Sequence, residues 1–135
     1  MDSLTPRERS TLMSLVRSKD TRPELIIRRL VHSLGYRFRL HRRDLPGTPD
    51  LVFPRLRRVV FVHGCFWHQH SCVNGNRMPR SRVAFWRAKL EGNTARDRLA
   101  VTRLRRMGWR VLTVWECQMK SRERLKNRLV RFLSA

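Results

Sequence analysis

The chain has 135 residues, of which 41% are hydrophobic, and this is room for one domain with one modest core. Lysine and arginine total 31 against 10 acidic residues, which gives a formal net charge of +21. Such an excess of positive charge destabilises a compact state by self-repulsion unless a polyanion neutralises it. Nucleic acid is the obvious polyanion. Arginine far outnumbers lysine, which favours bidentate contacts with phosphates and base edges.

Membrane and secreted classes are disfavoured by the same sequence. No apolar run approaches the roughly 18 residues of a spanning helix, and the first eight residues hold no signal-peptide core. The three cysteines lie near histidines, which favours metal ligation in a reducing compartment over a disulfide. We therefore expect a cytoplasmic protein, and the alternative to nucleic-acid binding is a basic surface that only solubilises the chain.

Two helices are predicted at the start of the chain. Thr5-Pro6-Arg7-Glu8 is a capping box with proline at the first helical position, so a short helix should run to about Val16. Thr21-Arg22-Pro23-Glu24 repeats the signature, and Gly35 is placed to end the second helix. The apolar positions of that helix recur at helical spacing: Leu25, Ile26, Leu30 and Leu34.

Three strands should follow. Residues 36–40 alternate apolar and basic side chains, which is typical of a strand with one buried face. Residues 45–49 form a turn, and residues 50–53 and 58–62 are further strands. The last of these is apolar enough to lie centrally in a sheet.

The second half predicts a helix, a strand and a helix. Residues 81–107 have a helical pattern with a possible break at Gly92, and residues 109–115 form a strand. Ser121 can cap a last helix whose apolar stripe is Leu125, Leu129 and Phe132. The order predicts an α/β fold: a single domain with a mixed central sheet flanked by helices.

Residues 63–72 hold three of the five histidines and two of the three cysteines. Cys65, His70 and Cys72 have the chemistry and short spacing of zinc ligands. Cys117 follows the last predicted strand and would complete a closed structural site if that strand lies beside residues 58–62. The alternatives are that Cys117 is a buried apolar residue, and that His63 or His68 replaces His70, because spacing does not exclude either.

Two further constellations are candidates for catalysis. His63 and His68 flank the cysteine loop, and imidazole suits proton transfer near neutral pH, although a lone histidine is more often structural. Asp50 begins a strand, and the strand after it carries the backbone toward these histidines. The Asp50 carboxylate can hold Mg²⁺, although Pro-Asp also simply starts turns. Glu24 offers a second carboxylate, or it only closes the capping box.

Aromatic side chains form the last candidate set. Phe66 and Trp67 lie in the loop that zinc would pin, and Trp86 opens the long helix. Such side chains can wedge between base pairs at a cost of about a few kcal/mol per step, which permits readout of a mismatch. The alternative is ordinary core packing.

The chain resembles the very-short-patch repair (Vsr) mismatch endonucleases over nearly its whole length. The N-terminal segment from Met13 to Thr21, with Pro23-Glu24, is similar to theirs, and the string His63-Gly64-Cys65-Phe66-Trp67-His68 is highly specific. The other matching residues are Pro49-Asp50, Phe61-Val62, His70, Cys72, Phe85-Trp86, Asn93, Arg96-Asp97, Gly108-Trp109-Arg110-Val111 and Trp115-Glu116-Cys117.

The resemblance implies a restriction-endonuclease-like fold with a structural zinc, and an enzyme that nicks duplex DNA 5′ of the T in T:G mismatches left by deamination of 5-methylcytosine. By matching position, Asp50 and the carbonyl of Val62 would hold Mg²⁺. His68 would activate water, His63 would assist at the phosphate, and Glu24 would support the site. The wider superfamily pairs its aspartate with Glu-x-Lys, which this chain lacks, so histidine would have to do the work of that lysine.

The same resemblance makes Cys65, His70, Cys72 and Cys117 the zinc ligands and makes Phe66, Trp67 and Trp86 the intercalating side chains. It implies one endonuclease domain over residues 1–135, with a helical segment over residues 1–20 that contributes to DNA binding. The expected setting is a monomer at the nucleoid in the bacterial cytoplasm, with mismatched duplex DNA and MutL-type proteins as partners. The rivals are a zinc-stabilised DNA-binding module that does not cut, and a nuclease of the same fold with another target.

Overall fold

A computed structural model describes residues 20–72 and 78–134. Within these ranges the elements in chain order are α1 (Arg22–Ser33), β1 (Arg39–Leu40), β2 (Leu51–Phe53), β3 (Arg58–His63), α2 (Val83–Arg106), β4 (Arg110–Trp115), a 3-10 helix (Glu116–Lys120) and α3 (Arg122–Ser134). The predicted helix of residues 5–16 and the rest of the segment 1–19 lie outside the described residues. None of the described helices combines the length and the apolar composition needed to span a membrane.

The four strands form one mixed sheet in the order β1-β2-β3-β4. β2 pairs antiparallel with both β1 and β3, whereas β3 and β4 are parallel and are connected through α2. Every residue of β3 is buried, as the apolar sequence of that strand predicts for a central position. The parallel register sets His63 opposite Trp115, and this pairing positions the site.

Alternation along β3 divides the core between the two faces of the sheet. Val60 and Val62 belong to a cluster that contains the buried faces of α1 and α3. Val59 and Phe61 point to the other face and pack with α2. The predicted layers of helices around a mixed sheet are therefore confirmed.

Three features differ from the prediction by more than a shift of one or two residues at an element's end. β1 is only Arg39–Leu40, because residues 36–38 do not pair with β2; Tyr36 and Phe38 instead pack against the ring of Phe53. α2 runs through Gly92 without a break, held to the sheet by buried residues on both sides of the glycine. The 3-10 helix after β4 has no periodic signal in the sequence.

Candidate active site

A cleft of about 980 Å³ opens where the N-terminus of α1, the end of β3 and the middle of α2 meet. The side chains that line it include every residue predicted to be catalytic and two of the predicted intercalators: Glu24, Asp50, His63, His68, Phe66 and Trp67. Val62 lies on the same wall. Residues far apart in sequence are thus brought to one surface because the strand ends carry them there.

Asp50 forms the acidic floor of the cleft. Its Oδ2 accepts a hydrogen bond of 2.6 Å from the backbone N–H of Val62. The pKa of Asp50 is raised to about 7: burial is the largest cause, the Val62 N–H and Arg28 oppose it, and the negative charge of Glu24 adds to it. Two carboxylates in a desolvated wall repel each other, and a hard, oxygen-seeking cation such as Mg²⁺ relieves that repulsion. The donor set therefore fits Mg²⁺.

Glu24 lines the cleft and also belongs to the first turn of α1. Its backbone N–H donates to Thr21 Oγ1 at 3.4 Å, so threonine caps α1 as predicted. Its carboxylate does not close the capping box, however, because Oε2 accepts from the N–H of Asp20 at 2.9 Å. Glu24 is only 2% exposed. Bonds with Asp20, Arg28 and His41 accommodate this buried carboxylate in the cleft wall.

The two histidines form a stacked pair. The ring centroids of His63 and His68 lie 3.8 Å apart and the planes are inclined by 6°. The pKa of His63 is lowered to about 4: burial is the largest cause, the adjacent His68 adds to it, and Asp97 opposes it. His63 is therefore neutral at physiological pH. Its Nδ1 is buried and has no hydrogen-bond partner among the residues that the structure describes.

Asp97 is the site residue that sequence reasoning left without a role. Its Oδ2 lies 2.5 Å from Nδ1 of His68, and both side chains are about a quarter exposed. With Nδ1 bonded to a carboxylate, Nε2 is the ring nitrogen of His68 that is left to accept a proton. One feature of the sequence could have pointed to Asp97. It is a charged residue midway between Leu90 and Leu104, on the face of α2 whose other residues pack on the sheet.

The predicted metal cluster also assembles. One ligand atom from each of Cys65, His70, Cys72 and Cys117 lies within 4.8 Å of the others. Nδ1 of His70 is 3.8 Å from the Cys65 sulfur and 3.4 Å from the Cys117 sulfur. Soft thiolates with one imidazole suit zinc far better than Mg²⁺. The structure brings His70 to the three cysteines, whereas His63 and His68 lie outside this cluster.

Strand register explains why Cys117 completes the set. Since His63 pairs with Trp115, the residue two positions beyond each strand partner is a cysteine, Cys65 on one strand and Cys117 on the other. The ring of Trp115 also stacks on His70 with centroids 4.2 Å apart, which orients the imidazole. Burial raises the pKa of the Cys65 thiol to about 12, so a metal must displace a proton to bind there.

The aromatic side chains form a cluster at the rim of the cleft. Phe66, Trp67 and Trp86 contact one another with ring centroids 5.2 to 5.8 Å apart, and none of the three is buried. Asn93 on α2 donates to the Trp67 carbonyl at 3.1 Å and so fixes the loop. Lys89 Nζ lies 5.6 Å from the Trp67 ring centroid. This arrangement differs from core packing, because all three rings are partly exposed; Phe66 and Trp67 line the cleft, whereas Trp86 does not.

In a strongly basic chain, a cleft that combines paired carboxylates, a His–Asp pair and partly exposed aromatic rings defines a class of protein, the hydrolases that act on nucleic-acid phosphodiesters. A family model described as DNA mismatch endonuclease Vsr matches residues 1–74. The DNA mismatch endonuclease Vsr of Escherichia coli is 43% identical over 117 residues, which cover 87% of this chain and 74% of the relative.

Two type II nicking enzymes are also similar. V.XorIIP of Xanthomonas oryzae pv. oryzae is 55% identical over 128 residues, covering 95% of this chain and 93% of the relative. V.NmeAIP of Neisseria meningitidis is 42% identical over 134 residues, covering 96% and 94%. The chain belongs to the Vsr family of DNA mismatch endonucleases, as its sequence motifs predicted. It is therefore a DNA endonuclease, and the alternative of a DNA-binding module that does not cut is set aside.

Proposed function

We propose that this endonuclease nicks one strand of duplex DNA on the 5′ side of the T in a T:G mismatch, in a reaction that requires Mg²⁺. The observation that carries the proposal is the common cleft of Asp50 and His68. Asp50 accepts a hydrogen bond from the backbone N–H of Val62. His63 follows Val62 in the chain, and its ring stacks on that of His68. An acidic cation site and an imidazole base therefore face the same cleft. Its volume of about 980 Å³ is within the range of ligand-binding pockets.

Asp50 and the carbonyl of Val62 would hold Mg²⁺, with Glu24 supporting the carboxylate of Asp50. When bound, the ion supplies charge neutralisation at the scissile phosphate. Two observations support this assignment. The carboxylate oxygens lie in a buried wall of the cleft, and the 2.6 Å hydrogen bond from the Val62 N–H to Asp50 Oδ2 fixes Asp50 relative to β3. The chain contributes position: strand ends hold the acidic group, so little reorganisation is needed as charge develops.

His68 would act as the general base that takes a proton from the attacking water. Asp97 bonds the opposite ring nitrogen, which stabilises the imidazolium as it forms and holds the ring in place. A positioned general base typically contributes a factor of roughly 10² to 10⁴ in rate. His63, kept neutral by burial, would donate a hydrogen bond to the phosphate without adding charge.

The four-ligand cluster would hold a structural zinc. If Cys65, His70, Cys72 and Cys117 all bind the ion, they would leave no open coordination position, which is the pattern of a closed structural site. The loop that carries His68 and the aromatic residues starts and ends at these ligands. Zinc would therefore act on catalysis only by fixing that loop.

Phe66, Trp67 and Trp86 would enter the base stack beside the mismatch. Separating the stack costs about a few kcal/mol per step, and least where a base is mispaired, so the wedge itself favours mismatched DNA. The T:G pair that arises by deamination of 5-methylcytosine is the target in this proposal. Lys89, which lies beside the Trp67 ring, would contact the strand that the wedge displaces.

The setting of the activity is part of the proposal. Residues 1–135 would form one domain with a restriction-endonuclease-like fold, and residues 1–20 would add a helical segment to the DNA contacts. The protein would act as a monomer at the nucleoid in the bacterial cytoplasm, with MutL-type proteins as partners in repair.

The test is a nicking assay on end-labelled duplexes that carry each of the possible mismatches in several sequence contexts. Both strands are labelled with different dyes, and Mg²⁺ is omitted rather than chelated, so that the cysteine cluster keeps its metal. We expect one nick, 5′ of the T, in T:G duplexes with Mg²⁺ only. Preferred cutting of another mismatch would favour the same-fold nuclease with a different target, and cutting of both strands or without a divalent ion would contradict the proposal.

A further inference from the structure

His41 lies in the loop between β1 and β2 and belongs to no motif. Its side chain contacts one acidic residue of the cleft and its backbone contacts the other. Nε2 of His41 is 3.1 Å from Oε2 of Glu24, and the backbone N–H of His41 donates to the carbonyl of Asp50 at 3.3 Å. The same Nε2 lies 3.9 Å from Oδ1 of Asp50. One residue thus joins the N-terminal turn of α1 to the start of β2.

Glu24 presents its two carboxylate oxygens unequally. Oε2 accepts from the N–H of Asp20 at 2.9 Å, from Arg28 at 3.0 Å and from His41 at 3.1 Å. With three donors on one oxygen, that oxygen has little capacity left for a cation. Oε1 is therefore the atom that Glu24 offers to the neighbourhood of Asp50, and His41 is the donor that comes from the Asp50 side of the cleft.

The backbone of His41 is held in a conformation that is uncommon for a residue with a side chain. Its φ is 47°, in the left-handed region, and this costs roughly 1–2 kcal/mol for an L-residue. Such conformations persist where surrounding contacts over-determine them, and they concentrate at functional sites. Here the side-chain bond to Glu24 and the backbone bond to Asp50 are the contacts that hold it.

We propose that His41 is a positioning residue that locks Glu24 and Asp50 into a preorganised pair for the divalent cation. The inference rests on the proposed cation site at Asp50. Without the bond from His41, Glu24 keeps the bonds from Asp20 and Arg28 but loses the one that ties it to the Asp50 side of the cleft, so the cation must bear more of the cost of aligning the two carboxylates. Partners that orient groups around a metal site typically change metal affinity by about 10- to 100-fold when they are removed.

A direct ligand role for His41 fits the contacts less well. Asp20, Glu24 and His41 offer three atoms within 4.8 Å of one another. The guanidinium of Arg28 already lies among them, 2.6 Å from Asp20 and 3.0 Å from Glu24. A cation there would have to displace an arginine that carries its own positive charge, so His41 is assigned to orientation.

The experiment compares His41→Ala, His41→Gln and a matched control, His32→Ala, which removes an exposed histidine from α1. Binding of Mn²⁺, used as a spectroscopic stand-in for Mg²⁺, is measured on the zinc-loaded protein by electron paramagnetic resonance. The Mg²⁺ concentration for half-maximal nicking and the rate at saturating Mg²⁺ are measured in single-turnover assays. Asp50→Asn gives the baseline for loss of the cation site.

We expect His41→Ala to weaken Mn²⁺ binding and to raise the half-maximal Mg²⁺ concentration by about 10- to 100-fold, with a saturating rate near that of the wild type. His41→Gln, whose amide can donate in place of Nε2, should recover most of the affinity, and His32→Ala should match the wild type. A His41→Ala protein that binds Mn²⁺ as the wild type does overturns the inference. So does an equal fall in melting temperature and rate for both His41 variants with unchanged metal binding.

The baseline separates this failure from that of the proposed function. If Asp50→Asn binds Mn²⁺ and nicks like the wild type, the cation site itself is wrong and the inference falls with it. If Asp50→Asn loses both properties while His41→Ala keeps both, only the role of His41 is refuted.

Discussion

Replacing Asp50 with asparagine should change stability and activity in opposite directions. Burial raises the pKa of Asp50 from 3.8 to about 7, so between these values the folded protein without Mg²⁺ keeps a proton that the unfolded chain has lost. Stability therefore falls as pH rises through this window, and above pH 7 the buried charge costs at most on the order of 4 kcal/mol. Asparagine is neutral throughout and can still accept the hydrogen bond from Val62.

The assay is urea unfolding at pH 5 and pH 8 of zinc-loaded protein without Mg²⁺. At pH 8 we expect Asp50→Asn to have a free energy of unfolding about 1–3 kcal/mol above that of the wild type, less than the full cost because solvent and neighbouring groups relax. At pH 5 the two proteins should be nearly equal. Nicking by the variant should be lost, and Mg²⁺ should stabilise the wild type only.

Two features of the chain make the comparison clean. Burial lowers the pKa of His63 to about 4, so the free energy of unfolding rises with pH between about 4 and 6.5. This effect of His63 is the same in both proteins and cancels when their stabilities are compared. Asp44→Asn is the matched control, because Asp44 is exposed in the same loop and its bond with Arg42 lowers the pKa of Asp44. That variant should not be more stable at pH 8. An Asp50→Asn protein no more stable than the wild type at pH 8 would refute the reasoning.

Three further substitutions test the other parts of the site. Asp97→Asn removes a charged acceptor worth about 1.5–3 kcal/mol from His68, so single-turnover nicking should slow roughly 10- to 100-fold at unchanged DNA affinity; an unchanged rate would refute the pairing. Cys72→Ala should lose zinc by mass spectrometry and melt at a lower temperature, whereas Cys72→His, which can still ligate, should keep part of both; full zinc content in Cys72→Ala would contradict the cluster. Trp67→Ala should weaken binding to mismatched duplexes more than to paired ones, measured by fluorescence anisotropy, and Leu99→Ala should affect neither; equal losses on both duplexes would argue against a wedge.

Much of the fold could be predicted because local and tertiary preferences agree. The unbroken apolar run of β3 places that strand in the centre of the sheet. Thr21 caps α1, and Gly35 follows its end with φ of 86°, which glycine adopts without strain. The length of β1 could not be predicted, because the alternation of residues 36–40 is also satisfied by side chains that pack against Phe53 without pairing.

Site residues could be predicted where they lie close together in the sequence or belong to a motif. They could not be predicted where only the fold brings them together. Cys117 could be placed beside the cysteine loop by assuming that two strands are neighbours, and their register bears this out. Asp97 lies on a helix 29 positions from His68, and nothing local links them. His41 meets Glu24 across 17 positions through a left-handed turn that periodicity does not encode.

The most direct test of the central claim is single-turnover nicking of one T:G duplex by the wild type, Asp50→Asn and His68→Asn, with binding of the same duplex measured in parallel. If Asp50 and His68 act on one phosphodiester, both variants should bind the mismatch with near wild-type affinity and fail to cut it. A variant at either position that nicks at the wild-type rate would contradict the account.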